Sequence, residues 1–434
     1  MTRFLLDALS TPALLIGLIA VLGLALQKSS LDVIVKGAIK AALGFVVLQC
    51  GGQILCMSLE TFGKLFEEAF HLQGVVPNNE AITSIAIGEL GLTTSLIMLF
   101  GMFFNLVVAR FTPMKYIFLT GHHTLFMAAL IAAVFHASGY PMVTTIVIGS
   151  VLLGFLLAFF PSLVQWVMRR ITGSDDFALG HFGTMGYLFA ALIGKFVGGR
   201  SKSIEEIAFP KSLMFFRDTT LSMVLTMFPL FLIVALTTYF SSGEARFQEI
   251  IGKNQDIIVF CMIESIIFAA GIYVVLQGVR LILAEILPAF KGISERLVPH
   301  AKPAMDCPLV FPFAPNAVLV GFLCSFLGGL TGLAVCGLLK WTLILPGVIP
   351  HFFCGATAGV FANATGGRRG CVVGAFSHGL LITFLPIMLL PVLGSLGFQN
   401  TTFGDSDFAI VGTILGHLAM LFKEYTINGI NLPF

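Results

Sequence analysis

Residues 278–322 read GVRLILAEILPAFKGISERLVPHAKPAMDCPLVFPFAPNAVLVGF, and this stretch decides the fold of the chain. Both of its ends are apolar, but its middle carries Glu285, Asp306 and five prolines from Pro299 to Pro315. Proline lacks a backbone donor and clashes with the preceding turn, so no helix continues through this segment. At membrane depth, broken backbone occurs only where protein or a water-filled cavity satisfies its polar groups. An interrupted helix that carries a lone acid therefore predicts the substrate site of a transporter.

The composition of the whole chain is typical of a membrane protein. Of its 434 residues, 57% are hydrophobic and 11% are charged, whereas soluble domains carry roughly 25% charged residues. The formal net charge of +2 is too small to indicate a nucleic-acid partner. The eight cysteines are scattered and form no CxxC pair, so we expect neither disulfides nor a metal site. The sequence indicates no cofactor.

Apolar segments of about 20 residues recur along the chain and predict an all-α polytopic membrane protein with about 11 transmembrane helices. Several segments are short or polar at one end, so we expect re-entrant, broken segments among them. Residues 59–73 predict a separate amphipathic helix at the membrane interface. The predicted spans are 11–27, 38–57, 92–110, 116–136, 142–166, 219–240, 257–278, 316–338, 342–363, 371–396 and 407–423.

Several motifs follow one another along nearly the whole chain. They are VIVKGAIKAALGFVVLQCG (33–51), LTGHHTLF (119–126), LGHFG (179–183), MDC (305–307), FAPNAV (313–318) and IPHFFCGATAGVFANATGG (349–367). In this order they resemble the ascorbate-type membrane subunit (enzyme IIC, ascorbate/galactitol superfamily) of the bacterial phosphoenolpyruvate:sugar phosphotransferase system.

The resemblance implies an architecture and partners. It implies a single enzyme IIC membrane domain over residues 1–434, built from two inverted structural repeats of about 1–215 and 216–434. It further implies an elevator-type transporter that forms a homodimer in the bacterial inner (cell) membrane. We expect no attached IIA or IIB domain, so these subunits would be separate proteins. Phosphoryl transfer would then be carried by a phosphocysteine on IIB, and the membrane subunit would position the substrate.

The resemblance also implies a substrate site. Ascorbate carriers contact their ligand through a Thr-Tyr pair, a Gly-His motif with Gln four residues after the His, a Gly-His-Gln motif and an Asp. The matching positions here hold Asn79, Glu80, His122, Phe126, His181, Phe182 and Asp306. His123 adjoins this set, and adjacent residues of a helix point to different faces.

Each candidate has a plainer interpretation. Asp306 is either a substrate ligand, as expected of an intramembrane acid, or the cap of the following helix. His181 is either a ligand or a hydrogen-bonded core histidine, and Glu80 is either a site acid or a solvated loop acid. Phe126 and Phe182 either border the ligand or are packing residues, as phenylalanines more often are. Either Asp306 or His122 is the candidate general base for a substrate hydroxyl.

The replaced positions predict a change of substrate preference. Phe126 and Phe182 stand where glutamines would donate to and accept from hydroxyls. Glu80 adds a carboxylate near a ligand that would itself be an anion. Two charges about 4 Å apart repel by about 4 kcal/mol at an effective dielectric constant of about 20. We therefore predict weak ascorbate binding and a preference for a neutral substrate; another sugar acid, a pentose or a polyol is the alternative.

The sequence thus predicts a sugar-specific permease that translocates ascorbate or a related sugar acid or sugar with coupled phosphorylation. One alternative is an ion-coupled secondary transporter of a small polar solute, in which Glu80, Asp306 and the histidines form a proton relay. Another is a membrane sensor or scaffold that has lost transport.

Overall fold

The computed structural model describes residues 12–71, 74–207, 219–398 and 400–427. Six helices within these residues are long and apolar enough to cross a membrane, which confirms a predominantly helical, multi-pass protein. They are Asn79–Phe111, Met142–Thr172, Met223–Ser242, Ile257–Ile282, Pro315–Leu338 and His351–Val392. Three shorter apolar helices accompany them, at Gly121–Ala137, Thr184–Gly198 and Ser406–Phe422. The count of 11 spans stays a prediction.

The helices are numbered in chain order over the described residues. They are α1 (Pro12–Leu26), α2 (Leu31–Phe70), α3 (Asn79–Phe111), α4 (Gly121–Ala137), α5 (Met142–Thr172), α6 (Thr184–Gly198), α7 (Thr219–Ser242), α8 (Glu244–Ile251), α9 (Ile257–Leu297), α10 (Pro315–Leu338), α11 (Ala356–Leu389) and α12 (Ser406–Ile427). A 3-10 helix at Cys307–Phe313 precedes α10, and short helical turns at Val348–Pro350 and His351–Gly355 precede α11.

The proline-rich segment is broken as predicted. Helix α9 ends at Leu297, and the chain reaches the 3-10 helix through a short extended strand. Helix α10 begins at Pro315, in the first turn, where the missing donor of proline has no intrahelical partner to lose.

The expected separate helix at residues 59–73 was wrong. Residues 38–57 and 59–70 belong to one 40-residue helix, α2, and residues 72–73 lie outside the described part of the chain. The apolar face that looked like a membrane-surface stripe is a packing face, because Phe62 and Leu65 are almost completely buried.

Six short strands were not predicted from the sequence. They are β1 (Gly74–Pro77), β2 (Tyr116–Phe118), β3 (Ala178–Leu179), β4 (Lys302–Met305), β5 (Leu343–Ile344) and β6 (Thr401–Thr402). Strand β1 lies between β5 and β6 in one parallel sheet, and β4 lies between β2 and β3 in the other. Each sheet therefore joins a central strand from one half of the chain to two edge strands from the other half.

Helix α11 is folded back on itself. Gly367 has φ +59° and ψ −151°, which is not helical. His351 and His378 both hydrogen-bond the Ser325 hydroxyl, at 2.9 and 3.2 Å. A straight helix would separate two residues that far apart in sequence by about 40 Å, at about 1.5 Å per residue. The run therefore reverses at Gly367, in agreement with the two spans predicted at 342–363 and 371–396.

Glycines allow close packing within two groups of helices. In one group, Gly194 of α6 lies against Gly366 of α11, and Gly321 of α10 lies against Gly359 of α11. In the other group, Gly44 of α2 lies against the backbone of α9 at Gly278. A Cβ atom at these contacts would collide with backbone, so each group is held at backbone-to-backbone distance.

Candidate substrate-binding site

A cavity of about 350 Å³ lies at the connections between strands β1, β4 and β6 and the helices that follow them. It contains seven of the eight site residues predicted from the sequence; Phe182 does not line it. Its walls are formed by Asn79, Glu80, His122, His123, Phe126, His181, Arg280, Asp306, Pro308, Ile349, Phe353 and Asp405.

Several helices begin at this cavity. Helix α3 begins at Asn79, α4 at Gly121 and α6 at Thr184, and α12 begins at Ser406. The backbone N–H groups of a helix start are unsatisfied and carry about half a positive charge. The cavity therefore favours carboxylates at its walls.

Asp306 is both a helix cap and a wall of the cavity. Its Oδ1 accepts a hydrogen bond from the Cys307 backbone N–H at 2.7 Å. Its Oδ2 lies 3.3 Å from His122 Nε2, and its Oδ1 lies 3.8 Å from His181 Nε2. The Asp306 side chain is 36% exposed. The capping interpretation is confirmed, and it is compatible with the other one because the second oxygen faces His122 in the cavity.

The protonation of His181 follows from its neighbours. Its Nδ1 accepts from the Gly183 backbone N–H at 3.1 Å and lies 2.8 Å from the Tyr187 hydroxyl. A ring nitrogen that accepts an N–H bond carries no proton, so the neutral ring carries its proton on Nε2. His181 therefore presents an N–H donor towards Asp306.

The adjacent histidines have different partners, as predicted. The His122 side chain is 24% exposed and faces Asp306. His123 is buried, stacks on Phe408 with ring centroids 5.8 Å apart, and lies beside the His181 ring at 3.8 Å. His122 is the imidazole in contact with the open part of the site.

Glu80 is buried, so it is not a solvated loop acid. It is 5% exposed, and among the described residues its Oε2 has no hydrogen-bond partner. The flanking amides are structural: Asn78 accepts from the Ala81 N–H at 2.7 Å, and Asn79 accepts from the Gly404 N–H at 2.8 Å. Glu80 thus offers the cavity an acceptor that the described residues leave unused.

The two phenylalanines in the glutamine positions differ in their surroundings. Phe126 lines the cavity and lies edge-on to His122, with ring centroids 5.7 Å apart. Phe182 is completely buried and packs between Phe118 and Phe160, at 5.2 and 5.6 Å. Only the first of the two side chains borders the site.

Two acids near the site were missed by the sequence analysis. Asp405 lines the cavity, and Asp407 accepts from the backbone N–H groups of Thr184 and Met185 at 2.9 and 2.8 Å. The Asp407 N–H in turn donates to the Phe182 carbonyl at 3.0 Å. The signal was the sequence GDSD at 404–407, directly before the last predicted span, because Asp and Ser favour helix N-termini.

Three groups of side chains lie close enough to share a metal ion, with candidate ligand atoms within 4.8 Å of one another. They are His122/His123/Asp306, His123/His181/Asp405 and His181/Asp306/Cys307. His181 belongs to two of these groups, but its Nδ1 is already an acceptor and its Nε2 carries the proton. A metal ligand needs an unprotonated nitrogen, so the arrangement fits hydrogen bonding better than coordination in those two groups.

Comparisons with known proteins agree with the motifs. The family described as PTS system sugar-specific permease component (EIIC-GAT) matches residues 7–407. The chain is also similar to the protein named ascorbate-specific PTS system EIIC component of Mycoplasma pneumoniae, with 27% identity over 425 residues. That match covers 86% of this chain and 64% of the relative, so the chain spans less than two thirds of the relative's length. The chain belongs to the family of sugar-specific permease components of the phosphotransferase system.

Proposed function

We propose that this protein is the enzyme IIC permease for a monosaccharide-sized, polyhydroxylated substrate: ascorbate or a related sugar acid, sugar or polyol. The main support is the cavity of about 350 Å³ in which Asp306 faces two histidines. Small-molecule sites span about 300–1,000 Å³, so this volume suits one sugar ring or an open-chain polyol and excludes an oligosaccharide.

The wall groups match a ligand rich in hydroxyls. Glu80 and Asp306 supply acceptors, and His181 supplies an N–H donor. A hydroxyl donates and accepts at once, so it can bridge a carboxylate and an imidazole N–H. The buried carboxylate of Glu80 disfavours an anion, so we propose that a neutral sugar or polyol is preferred over ascorbate.

Asp306 is the proposed general base. A substrate hydroxyl loses its proton to Asp306 Oδ2 as its oxygen attacks the phosphorus of a phosphocysteine on a separate IIB protein. The P–O bond forms while the P–S bond breaks, and the electron pair leaves with the IIB thiolate. His122, whose Nε2 lies 3.3 Å from Oδ2, orients the carboxylate. This chain positions the substrate and supplies the base, and IIB supplies the phosphoryl group.

The proposed transport movement is of the elevator type, with one helical block moving past the other. The two glycine-packed groups of helices support it, since each has backbone contacts that hold it together as a unit. The proposed two inverted repeats are supported by the reciprocal sheets and by the long helices α2 and α9, of 40 and 41 residues. The proposed assembly is a homodimer in the bacterial inner membrane that works with IIA and IIB components.

The function is tested by uptake into membrane vesicles that contain the full chain. Labelled ascorbate, pentoses, hexoses and polyols are supplied with and without phosphoenolpyruvate and the energy-coupling proteins. The expected result is accumulation of a phosphate ester that stops without phosphoenolpyruvate. Accumulation of unmodified substrate under a proton gradient alone would instead support the ion-coupled alternative. The variant Asp306→Asn should abolish accumulation, whereas Asp176→Asn, in an exposed loop, is the matched control.

A further inference from the structure

We infer that Asp405 is a substrate-contacting residue that selects neutral polyols over anionic sugar acids, as the second-half counterpart of the neighbouring His181. This inference rests on the proposed function, since it concerns the same cavity. Asp405 belongs to none of the motifs that identify the family here, and its role is read from its place in the structure.

Asp405 occupies the wall of the cavity and is 3% exposed. Its Oδ2 lies 3.9 Å from His123 Nδ1 and 4.0 Å from His181 Nδ1. Both distances exceed hydrogen-bond length. The carboxylate is therefore beside the two buried imidazoles without being bonded to them.

The backbone places Asp405 and His181 in similar positions, each between a short strand and a helix start. His181 lies two residues after β3 and three residues before Thr184, the first residue of α6, while Asp405 lies three residues after β6 and directly before α12. Strands β3 and β6 are both edge strands, one in each sheet. The starts of α6 and α12 are joined by the two hydrogen bonds from Thr184 and Met185 to Asp407. One helix start thus presents an imidazole to the substrate, and the other presents a carboxylate.

The carboxylate of Asp405 keeps accepting capacity for a ligand. Its partners are the amide of Asn79 and the thiol of Cys354, whereas an ionised carboxylate offers about four lone-pair sites. In the described part of the chain, its ion-pair distances involve only histidines and no Lys or Arg. The His181 Nδ1 cannot donate to it, because that nitrogen already accepts from Gly183. Hydroxyl groups of a substrate can donate to the acceptor positions that Asp405 leaves unused.

The charge of the site gives the selectivity. Glu80, Asp306 and Asp405 all line the cavity, and Arg280 is the cation among the residues at its wall. A negative charge on the ligand would lie among these three carboxyl groups at low dielectric, where it finds little positive charge to stabilise it. A neutral polyol brings several O–H donors and no charge. We therefore assign Asp405 to the binding of such a neutral polyol.

The test compares binding of two labelled probes, galactitol and ascorbate, to purified full-length protein in detergent or nanodiscs. Asp405→Asn should weaken galactitol binding by about tenfold, the loss of one hydrogen bond to a charged group, and should leave ascorbate binding equal or tighter. Asp405→Glu keeps the charge and should still exclude ascorbate. Asp176→Asn is the control for expression and purification.

The ratio of the two affinities separates the outcomes. A merely structural role would weaken both probes together, and a Kd for galactitol unchanged in Asp405→Asn would mean that the side chain does not touch the ligand; either result overturns the inference and leaves the permease function standing. If the wild-type protein bound neither probe and took up no sugar with phosphoenolpyruvate, the proposed function would fail first, and this inference with it. Thermal unfolding of each variant confirms that binding is compared between folded proteins.

Discussion

The two halves of the chain contribute different chemistry to one cavity. The first half supplies Glu80 and the imidazoles of His122 and His181, whereas the second half supplies the carboxylates of Asp306 and Asp405. In both halves these side chains follow a short strand and precede or begin a helix. The comparison shows that the backbone of both halves brings strand ends and helix starts to one cavity, while the side chains at these places give each half a different chemistry.

The contrast is also electrostatic. Several helix starts meet at the cavity, each with about half a positive charge, and the acids lie within one turn of these starts. Asp306 and Asp407 accept backbone N–H bonds directly. Removing an acid therefore has two consequences, since the ligand loses an acceptor and a helix loses the charge that complements its N-terminus.

The largest expected effect comes from replacing the proposed general base, Asp306 of the second half, and is compared with replacing His122 of the first half, which orients it. Asp306→Asn should lower the rate of phosphoryl transfer to substrate by about 10²- to 10⁴-fold, the usual worth of a general base. His122→Gln should have a smaller effect, because it removes only the group that orients Asp306. Single-turnover transfer from phosphorylated IIB measures both rates.

Binding is the control for this pair. Asp306→Asn should retain measurable substrate binding, because an amide oxygen still accepts from a hydroxyl and from Cys307. A larger rate loss in His122→Gln than in Asp306→Asn would show that the imidazole from the first half is the base.

The second prediction separates the two phenylalanines of the first half. Phe182→Gln should destabilise the protein by about 3 kcal/mol or more, because it empties an aromatic cluster and buries an amide. Phe126 borders the cavity, so Phe126→Gln should destabilise the protein less. Combined with Glu80→Tyr, it should improve ascorbate binding.

Thermal unfolding and calorimetric ascorbate binding are measured on both variants. If Phe182→Gln improved ascorbate binding without loss of stability, its side chain would face the ligand. Tight ascorbate binding by the unaltered protein would contradict the expected preference for a neutral substrate.

The sequence was sufficient for the features that depend on residue type. The apolar runs predicted a multi-pass helical protein, and the prolines from Pro299 to Pro315 predicted the break after α9. Glu80 and His122 were identified by their positions in the motifs of the resembled family, and Asp306 also because an acid is rare inside apolar sequence. All three line the cavity.

What escaped the sequence depends on tertiary contacts. Strands of two to four residues are too short to give a periodic pattern, and β1 pairs with β5 across most of the chain length. Asp405 and Asp407 were overlooked because they precede an apolar span, where acids are ordinarily helix caps. Phe182 was considered as a ligand contact because of its position in a motif, but its side chain packs into a cluster with Phe118 and Phe160.

The third prediction concerns the contact between the helix starts of the two halves. Asp407→Asn replaces one acceptor oxygen by an amide that cannot accept, so one of the N–H groups of Thr184 and Met185 loses its partner. A buried donor left unsatisfied costs roughly 1–3 kcal/mol. We expect a lower unfolding temperature and weaker substrate binding, because His181 lies only three residues before Thr184.

Ser406→Ala, which removes the acceptor for the Gly186 N–H, should act in the same direction but less, since a neutral hydrogen bond is weaker than one to a charge. Unfolding temperatures unchanged in Asp407→Asn would show that the carboxylate does not hold the two starts together.

The smallest expected effect concerns the ion pairs of Asp175, a residue that lies outside the membrane-spanning helices and links the two halves of the chain. Asp175, between α5 and β3, accepts from Arg169 at 2.8 Å and lies 2.6 Å from Lys302 Nζ in β4. The Arg169 guanidinium, with Lys302 and Gln165, holds the pKa of Asp175 well below its usual range. A carboxylate with a depressed pKa in the folded state stabilises that state above its unfolded pKa of about 3.9, and the contribution is lost as the pH falls through the folded pKa.

Wild-type protein should therefore lose part of its thermal stability as the pH falls below about 4, the unfolded value, and Asp175→Asn should show a smaller decrease over the same range. The difference should be small, because the Asp175 side chain is 45% exposed and solvent screens exposed ion pairs. High salt should reduce the difference further. The control variant Asp176→Asn removes the exposed carboxylate of the neighbouring residue and should follow the wild-type curve. If Asp175→Asn and the wild type had parallel stability curves down to pH 3, the two halves would be joined here by the pairing of β4 with β2 and β3, without help from the ion pair.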